Sequence, residues 1–407
     1  MTAKFGRRAF LAGVAASALP MPAIAQAAPV RIGLLTIKTG SLAEGGIQME
    51  QGIRTFLKEK NNTLAGRKVD FISADTGGSP AGAKTKAQEL IERDKVDVIL
   101  GPLAAFELLA ISDYVAQHKT PMLSLAGAED MTQRKPNPYF LRASATSSQA
   151  MQPLADYAAK EMKLKNVVLI AEDFAFGYEQ MGGFQRVFED AGGHVLKKIW
   201  VPLGTADNTP FIAQIGDCDA VVQGYSGSSP VKFMKQYADL GQKKPVLGGE
   251  TAGDDALLKS FGDEAIGLIN ACPYTHDLDN DANKRFVAEF TRDYGNIPGF
   301  YAAGLYVNGQ VVEAGLMKTG GDAGNKEAFI AALRGATLTD TPRGPISFDD
   351  HGNVIGNIYI RRIEKQNGKL VNKTIKTYHK VSQFWTYDEK WFLAQPVYSR
   401  DYPPLKS

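Results

Sequence analysis

Short runs of apolar and β-branched residues alternate with amphipathic segments of helical length, and this alternation occurs twice along the chain. In the first series, residues 30–37, 69–74, 96–100 and 121–125 read as strands, and 48–60, 81–93 and 106–117 as helices. Segment 48–60 places Met49, Ile53, Phe56 and Leu57 on one face, the period of a core-facing helix. Strand–helix–strand order pairs neighbouring strands in parallel, with helices covering both faces of the sheet. The pattern then restarts. Helices are expected at 149–162, 178–190, 230–240 and 254–261, and strands at 167–171, 195–201, 220–223, 245–248 and 266–271. Val96-Asp97-Val98-Ile99-Leu100-Gly101 and Cys218-Asp219-Ala220-Val221-Val222-Gln223-Gly224 read as equivalent strands of the two series. Helices at 281–294, 300–317 and 325–335 follow without an intervening strand, so they must lie on a sheet already built. The tail turns β-like at 345–348, 355–363 and 370–378, with turn signals at Asp349-Asp350-His351-Gly352-Asn353 and Lys365-Gln366-Asn367-Gly368. The expected fold class is α/β, in two lobes with separate cores.

The first 27 residues carry a different message. Gly6-Arg7-Arg8-Ala9-Phe10-Leu11 is a twin-arginine pair followed by an apolar run over 10–19, and Ala23-Ile24-Ala25-Gln26-Ala27 supplies small residues at signal-peptidase spacing. An apolar run of about ten residues is too short to span about 30 Å of hydrocarbon as a helix. The expectation is export by the twin-arginine route, cleavage after Ala25 or Ala27, and a soluble mature chain of about 380 residues in the periplasm. Formal charge is +2; losing Lys4, Arg7 and Arg8 with the leader leaves −1. A near-neutral surface argues against nucleic acid and anionic membranes as partners.

Catalytic and metal chemistry find no constellation. Gly77-x4-Gly82-Ala83-Lys84-Thr85 displaces the lysine of a phosphate-binding loop, and Pro80 interrupts its N–H donors. Gly224-Tyr225-Ser226-Gly227 has the wrong register for a nucleophile elbow. Glu172 and Asp173 are sequence neighbours on an extended segment and point apart. His118, His194, His276, His351 and His379 are scattered, without metal-ligand spacing. Cys218 and Cys272 fall at opposite ends of parallel strands, so two buried thiols are expected rather than a bridge. No cofactor, metal or catalytic residue is assigned. What remains is an exported α/β chain whose strand-end loops face a crevice, the place where open parallel sheets bind ligands.

Here the residues resemble a family: the type I periplasmic solute-binding proteins that feed ABC importers, in the branched-chain amino-acid-binding branch. The likeness runs in order along almost the whole mature chain. It includes Ile32-Gly33-Leu34-Leu35 with Thr39-Gly40, Gln51-Gly52, Asp75 with Pro80, Gly101-Pro102, Gly177, Lys235-Gln236-Tyr237, Leu240-Gly241, and Thr341-Pro342-Arg343-Gly344-Pro345-Ile346-Ser347-Phe348. The resemblance implies two Rossmann-like lobes joined by three hinge crossings, 28–146 with 277–343 and 147–276 with 344–407, closing over a ligand. It also implies a membrane permease as partner; a monomer is expected.

The chain departs from the family's amino-acid readers at the positions that would hold the ligand. Ala105, followed by Phe106, stands where they carry Ser. Ala126-Gly127-Ala128 stands where they carry Thr or Ser, Gly45 where they carry an aromatic, and Phe176 where they carry Tyr. The acidic residue that pairs with a ligand amine is matched by Glu250. Each lost hydroxyl removes a charge-assisted hydrogen bond worth about 1.5–3 kcal/mol. A larger, drier pocket follows, opened at Gly45, with a ring held between Phe106, Phe174, Phe176 and Tyr225 and a carboxylate received by backbone N–H groups at Ala126–Ala128 and helix N-termini. The expected ligand is a small carboxylate, an aromatic acid first and a branched-chain or related amino acid second. Glu250 fits either, through an amine or a ring hydroxyl. A ligand-sensing regulator and an exported hydrolase are the competing classes. The aromatic tail (Phe384, Trp385, Tyr387, Trp391, Phe392, Tyr398, Tyr402) reads as lobe packing.

Overall fold

The computed structural model describes Met1 and residues 28–406, so the export signal read over residues 1–27 lies outside the described residues. The first sheet is built from β1 (Val30–Thr36), β2 (Thr63–Leu64), β3 (Arg67–Asp75), β4 (Val98–Leu100), β5 (Met122–Leu123) and β6 (Phe140–Leu141). Its order is β2-β3-β1-β4-β5-β6, parallel except for the β2–β3 hairpin. Helices α1 (Ala43–Glu59), α2 (Pro80–Gln88) and α3 (Ala105–Gln117) form the crossovers. The cores of β1, β4, β5 and β6 are buried on both faces, as helix-covered parallel strands must be, while β3, next to the hairpin edge, is only half-buried.

After β6 the chain passes to the second lobe. There α4 (Met151–Lys160), β7 (Asn166–Glu172), α5 (Ala175–Asp190), β8 (His194–Val201), α6 (Thr209–Ile212), β9 (Ala220–Gly224), α7 (Ser229–Asp239), β10 (Val246–Gly248) and β11 (Ile269–Cys272) follow in turn. It then returns to the first lobe as α8 (Asp281–Tyr294), α9 (Phe300–Lys318) and α10 (Lys326–Arg334). Phe286, Phe290, Leu305, Val307, Val312 and Phe329 from these helices join Ile32, Leu34, Ile53 and Phe56 in one core. The expectation that three helices without a strand lie on a finished sheet therefore holds. A third crossing leads to β12 (Ser347–Phe348), β13 (Val354–Gln366), β14 (Lys369–Val381) and α11 (Glu389–Ala394). β13 runs antiparallel to β11 and extends the second sheet to β12-β13-β11-β10-β9-β7-β8, with β14 paired to β13.

The crossings are tied to one another. Arg343 Nη1 donates to the carbonyls of Ala143 and Ser144, each at 2.6 Å. Gln149 Nε2 donates to Val354 O and Val381 O, each at 2.9 Å. All four bonds are buried and the two from Arg343 are charge-assisted, so they hold the segments between the lobes in register.

Local differences from the sequence expectation have local causes. Helix α1 begins at Ala43 instead of residue 48, through Gly45-Gly46. A Cβ on Gly46 would fall 1.8 Å from Ile37 O, so the glycine lets the first turn press on the end of β1. The helix expected over 254–261 is a 3-10 run, Asp255–Ser260, tightened as short helical pieces often are. Cys218 and Cys272 are both buried free thiols.

Candidate ligand-binding site

Each sheet reverses its strand order once, at β3-β1-β4 and at β8-β7-β9. Loops leaving the carboxyl ends of the strands diverge there and open a crevice. In this molecule the two crevices face each other. A narrow cavity lies between them. The first lobe lines it with Leu42 after β1, Leu103, Ala104 and Ala105 after β4, Leu125 and Gly127 after β5, and Phe300 and Tyr301 at the start of α9. The second lobe contributes Phe174 and Phe176 after β7, Ser226 after β9, and Glu250 and Thr251 after β10. A smaller neighbouring cavity shares Thr251 and Tyr301 and reaches Gly45, Gln48 and Asp254.

The lobes touch on both sides of this space. Ser228 N–H donates to Ser41 O at 3.1 Å. Phe300 N–H donates to Asp254 Oδ1 at 3.0 Å. Phe106 meets Phe174 edge to face, with ring centroids 6.0 Å apart, and Phe174 stacks on Phe176 at 5.9 Å. The conformation is closed, and the aromatic contacts are part of the closure.

Of the residues singled out from the sequence, Ala105, Gly127, Phe174, Phe176 and Glu250 share the main cavity. Phe106 stands at its rim through its contact with Phe174. Four placements need correction. The space expected at Gly45 is filled by Tyr301, whose Cε2 lies 2.9 Å from where a Gly45 Cβ would stand. Tyr225 does not wall the cavity: its hydroxyl donates to Asn208 Oδ1 at 3.0 Å and its ring stacks on Phe233, in the core of the second lobe. Ala126 and Ala128 do not line the cavity, and their carbonyls are bonded to the buried Arg142. Arg142 Nε donates to Ala126 O at 3.0 Å and Nη2 to Ala128 O, while Ala126 N–H donates to Ser124 Oγ at 2.9 Å. A buried guanidinium must have its donors satisfied, and these carbonyls do it.

No Lys, Arg or His is among the lining residues. Positive potential comes instead from helix starts. Ala105 and Phe106 open α3, and Ala175 and Phe176 open α5; first-turn N–H groups have no intrahelical acceptor and favour an anion. Glu107 already takes the Ala104 N–H at 3.3 Å, which fixes the loop before α3. The side-chain hydroxyls in the wall are spent inward. Ser226 Oγ and N–H both donate to Glu172 Oε2, and Thr251 Oγ1 donates to Tyr225 O at 2.7 Å. Burial raises the Glu172 carboxyl to about 7 and the Glu250 carboxyl to about 8. Among the described residues the paired histidines sit elsewhere, His118 with Glu92, His276 with Asp255 and His351 with Glu389.

Sequence reasoning missed Leu42, Leu103, Leu125, Thr251, Phe300 and Tyr301. The first lobe's ring wall, Phe300-Tyr301, opens a helix that was read only as sheet cover. Its signal was present in Pro298-Gly299 directly before two aromatics, a helix start aimed at the strand ends.

Comparison with known proteins adds to this geometry. A family model described as periplasmic binding protein matches residues 29–369. The chain is similar to Leu/Ile/Val-binding protein homolog 6 of Brucella melitensis, 29% identical over 86% of this chain and 92% of that one. It is similar in structure to a solute binding protein of an ABC transporter from Rhodopseudomonas palustris BisB5 in complex with 3,4-dihydroxy benzoic acid. That likeness has 34% identity and a TM-score of 0.83, over 87% of this chain and 98% of the other. A further R. palustris solute binding protein, in complex with 4-hydroxybenzoate, matches at 28% identity and a TM-score of 0.82, over 88% and 98% of the two chains.

Proposed function

The chain belongs to the periplasmic binding protein family, and from that premise we propose that it captures a small aromatic carboxylate for an ABC importer. The single observation that carries this reading is the wall of the closed cavity. It combines the Phe174–Phe176 stack with Leu42, Leu103, Leu125 and Phe300, and lacks any cationic side chain. A flat ring fills such a slot, and aromatic neighbours add about 0.5–1.5 kcal/mol per pair beyond area burial. The carboxylate is received by N–H groups at the starts of α3 and α5. Residues 28–146 with 277–343 then close against 147–276 with 344–407, and the closed form docks on a membrane permease after export to the periplasm. The guest leaves chemically unaltered. Relatives bound to ring carboxylates support this reading.

A second reading, an amino acid, is favoured by Glu250, which occupies the family's amine-pairing position, and by the Leu/Ile/Val-binding relatives. Isothermal titration with benzoate, 4-hydroxybenzoate, cinnamate, leucine and valine separates the two. Micromolar binding of ring acids with none of leucine or valine supports the first; the reverse pattern sinks it.

A further inference from the structure

Glu250 is an unusual resident of an apolar slot. It is 4% exposed, at the cavity wall contributed by the second lobe. Among the described residues no cation lies within ion-pair distance of it. The single side-chain hydrogen bond to its carboxyl comes from Gln180 Nε2, at 3.4 Å. Arg361, whose positive charge acts on it, is held by Asp255 at 2.9 Å. The other groups facing this region are Asp254, Glu172 and Tyr301, which bring no positive charge. Behind the wall, Gln180 Oε1, Glu172 Oε1 and both amide atoms of Gln223 are buried without a partner. Such a set is completed by water or by a ligand's own polar end.

A buried carboxyl with no counter-ion keeps its proton, and burial raises Glu250 to about 8. In that form it both donates and accepts a hydrogen bond, which suits a hydroxyl. An ammonium group would drive it to ionise and expel the proton. A second carboxylate would find no cation at all.

Resting on the aromatic-carboxylate reading, we propose that Glu250, braced by Gln180, is the specificity-determining residue of the cavity and selects ring carboxylates bearing a hydroxyl at the end remote from the carboxylate. The carboxylate lies between the α3 and α5 starts and the hydroxyl toward Glu250 in the second lobe, so the ligand bridges the lobes. Closure then scores both ends of the molecule at once.

The test is calorimetry with benzoate, 4-hydroxybenzoate and leucine on the wild type, E250Q and E250L, at neutral pH in two buffers of different ionisation enthalpy. In the wild type, 4-hydroxybenzoate is expected to bind about tenfold tighter than benzoate, the worth of one well-placed buried hydrogen bond, with no net proton exchanged. E250Q keeps most of that preference. E250L erases it, bringing the two affinities to within about threefold of each other. Equal wild-type affinities for the two acids overturn the proposal, and this arm needs no variant to fold. So does an E250L protein with an intact thermal transition that keeps the wild-type preference for 4-hydroxybenzoate. Leucine bound with release of one proton, and neither ring acid bound, overturns this inference together with the reading beneath it; benzoate bound without a hydroxyl preference overturns this inference alone.

Discussion

Gly227 and Ser41 meet across the mouth of the cleft with no room for a side chain between them. A Cβ on Gly227 would fall 2.2 Å from the Ser41 carbonyl oxygen, and Gly227 sits at φ +55°. The next residue, Ser228, uses that same carbonyl as its hydrogen-bond acceptor at 3.1 Å. The missing side chain at Gly227 thus lets the second lobe approach the first at this edge of the cleft.

Gly227→Ala therefore obstructs closure more than it disturbs folding. The left-handed backbone costs about 1 kcal/mol in stability. Ligand affinity is expected to drop by about tenfold or more, because the closed contacts are lost. X-ray scattering checks this: the wild type contracts on adding ligand and the variant does not. A variant that contracts normally and binds with wild-type affinity rules the idea out.

Arg361 and Asp255 form an ion pair in which both side chains are fully buried, with Nη1–Oδ2 at 2.9 Å. Arg361 also donates to Asn270 Oδ1, Tyr274 O and Gly253 O, joining β13 to β11 and to the loop after β10. Asp255→Ala leaves a buried cation without its partner, and about 3–5 kcal/mol of stability should go with it. The double variant Asp255→Leu with Arg361→Met should recover much of that loss. Chemical denaturation of the ligand-free proteins measures both; an additive double mutant would show that the two residues act independently.

Stability should fall as pH rises from about 5 to about 8. Burial raises Asp254 to about 6, Glu172 to about 7 and Glu250 to about 8, all above their unfolded values. The native state therefore holds protons that the unfolded chain has released, and each such group costs up to about 1.4 kcal/mol per pH unit across its window. For His276, burial acts to lower the value, but the hydrogen bond and charge of Asp255 outweigh it and raise the imidazole, which adds a loss of the same sign. Glu250→Gln removes one of these groups and should flatten the profile near its alkaline end. Melting temperatures at half-unit intervals test it; an E250Q curve parallel to the wild type would contradict the protonated carboxyl.

Phe174 touches Phe106 across the cleft and Phe176 beside it. It is only half-buried, so Phe174→Ala should change the melting temperature little. Affinity for a ring carboxylate should weaken by about tenfold, since one ring contact and one closure contact vanish together. Titration of the variant beside its melting curve separates the two effects. Unchanged affinity would remove Phe174 from the site.

Much of the architecture was legible because it rests on local periodicity. Helix Asp281–Tyr294 falls where its apolar spacing put it, and β1, β7 and β9 lie within a residue or two of their expected ends. The short strands β2 and β6 were not legible: two residues carry no period, and only pairing to β3 and β5 makes them strands. The site divided in the same way. Phe174, Phe176, Ala105, Gly127 and Glu250 follow strands that sequence pattern alone marks. Tyr301 lies far along the chain on a helix of the first lobe, and no spacing ties it to Gly45, whose vacant side-chain space it takes.

Tyr225 marks the boundary between what order along the chain determines and what packing decides. Alternation of apolar runs with amphipathic helices was sufficient for two parallel sheets and for loops gathered at their carboxyl ends, because backbone hydrogen bonding and burial act over neighbouring residues. Which side chains in those loops face the ligand was settled by competition for partners in three dimensions. Asn208 and Phe233 drew Tyr225 into the core, Arg142 claimed the carbonyls of Ala126 and Ala128, and Glu250 was left at the wall with only Gln180 beside it. Desolvated polar groups must find partners wherever the fold places them, and those pairings span separations that no local pattern encodes.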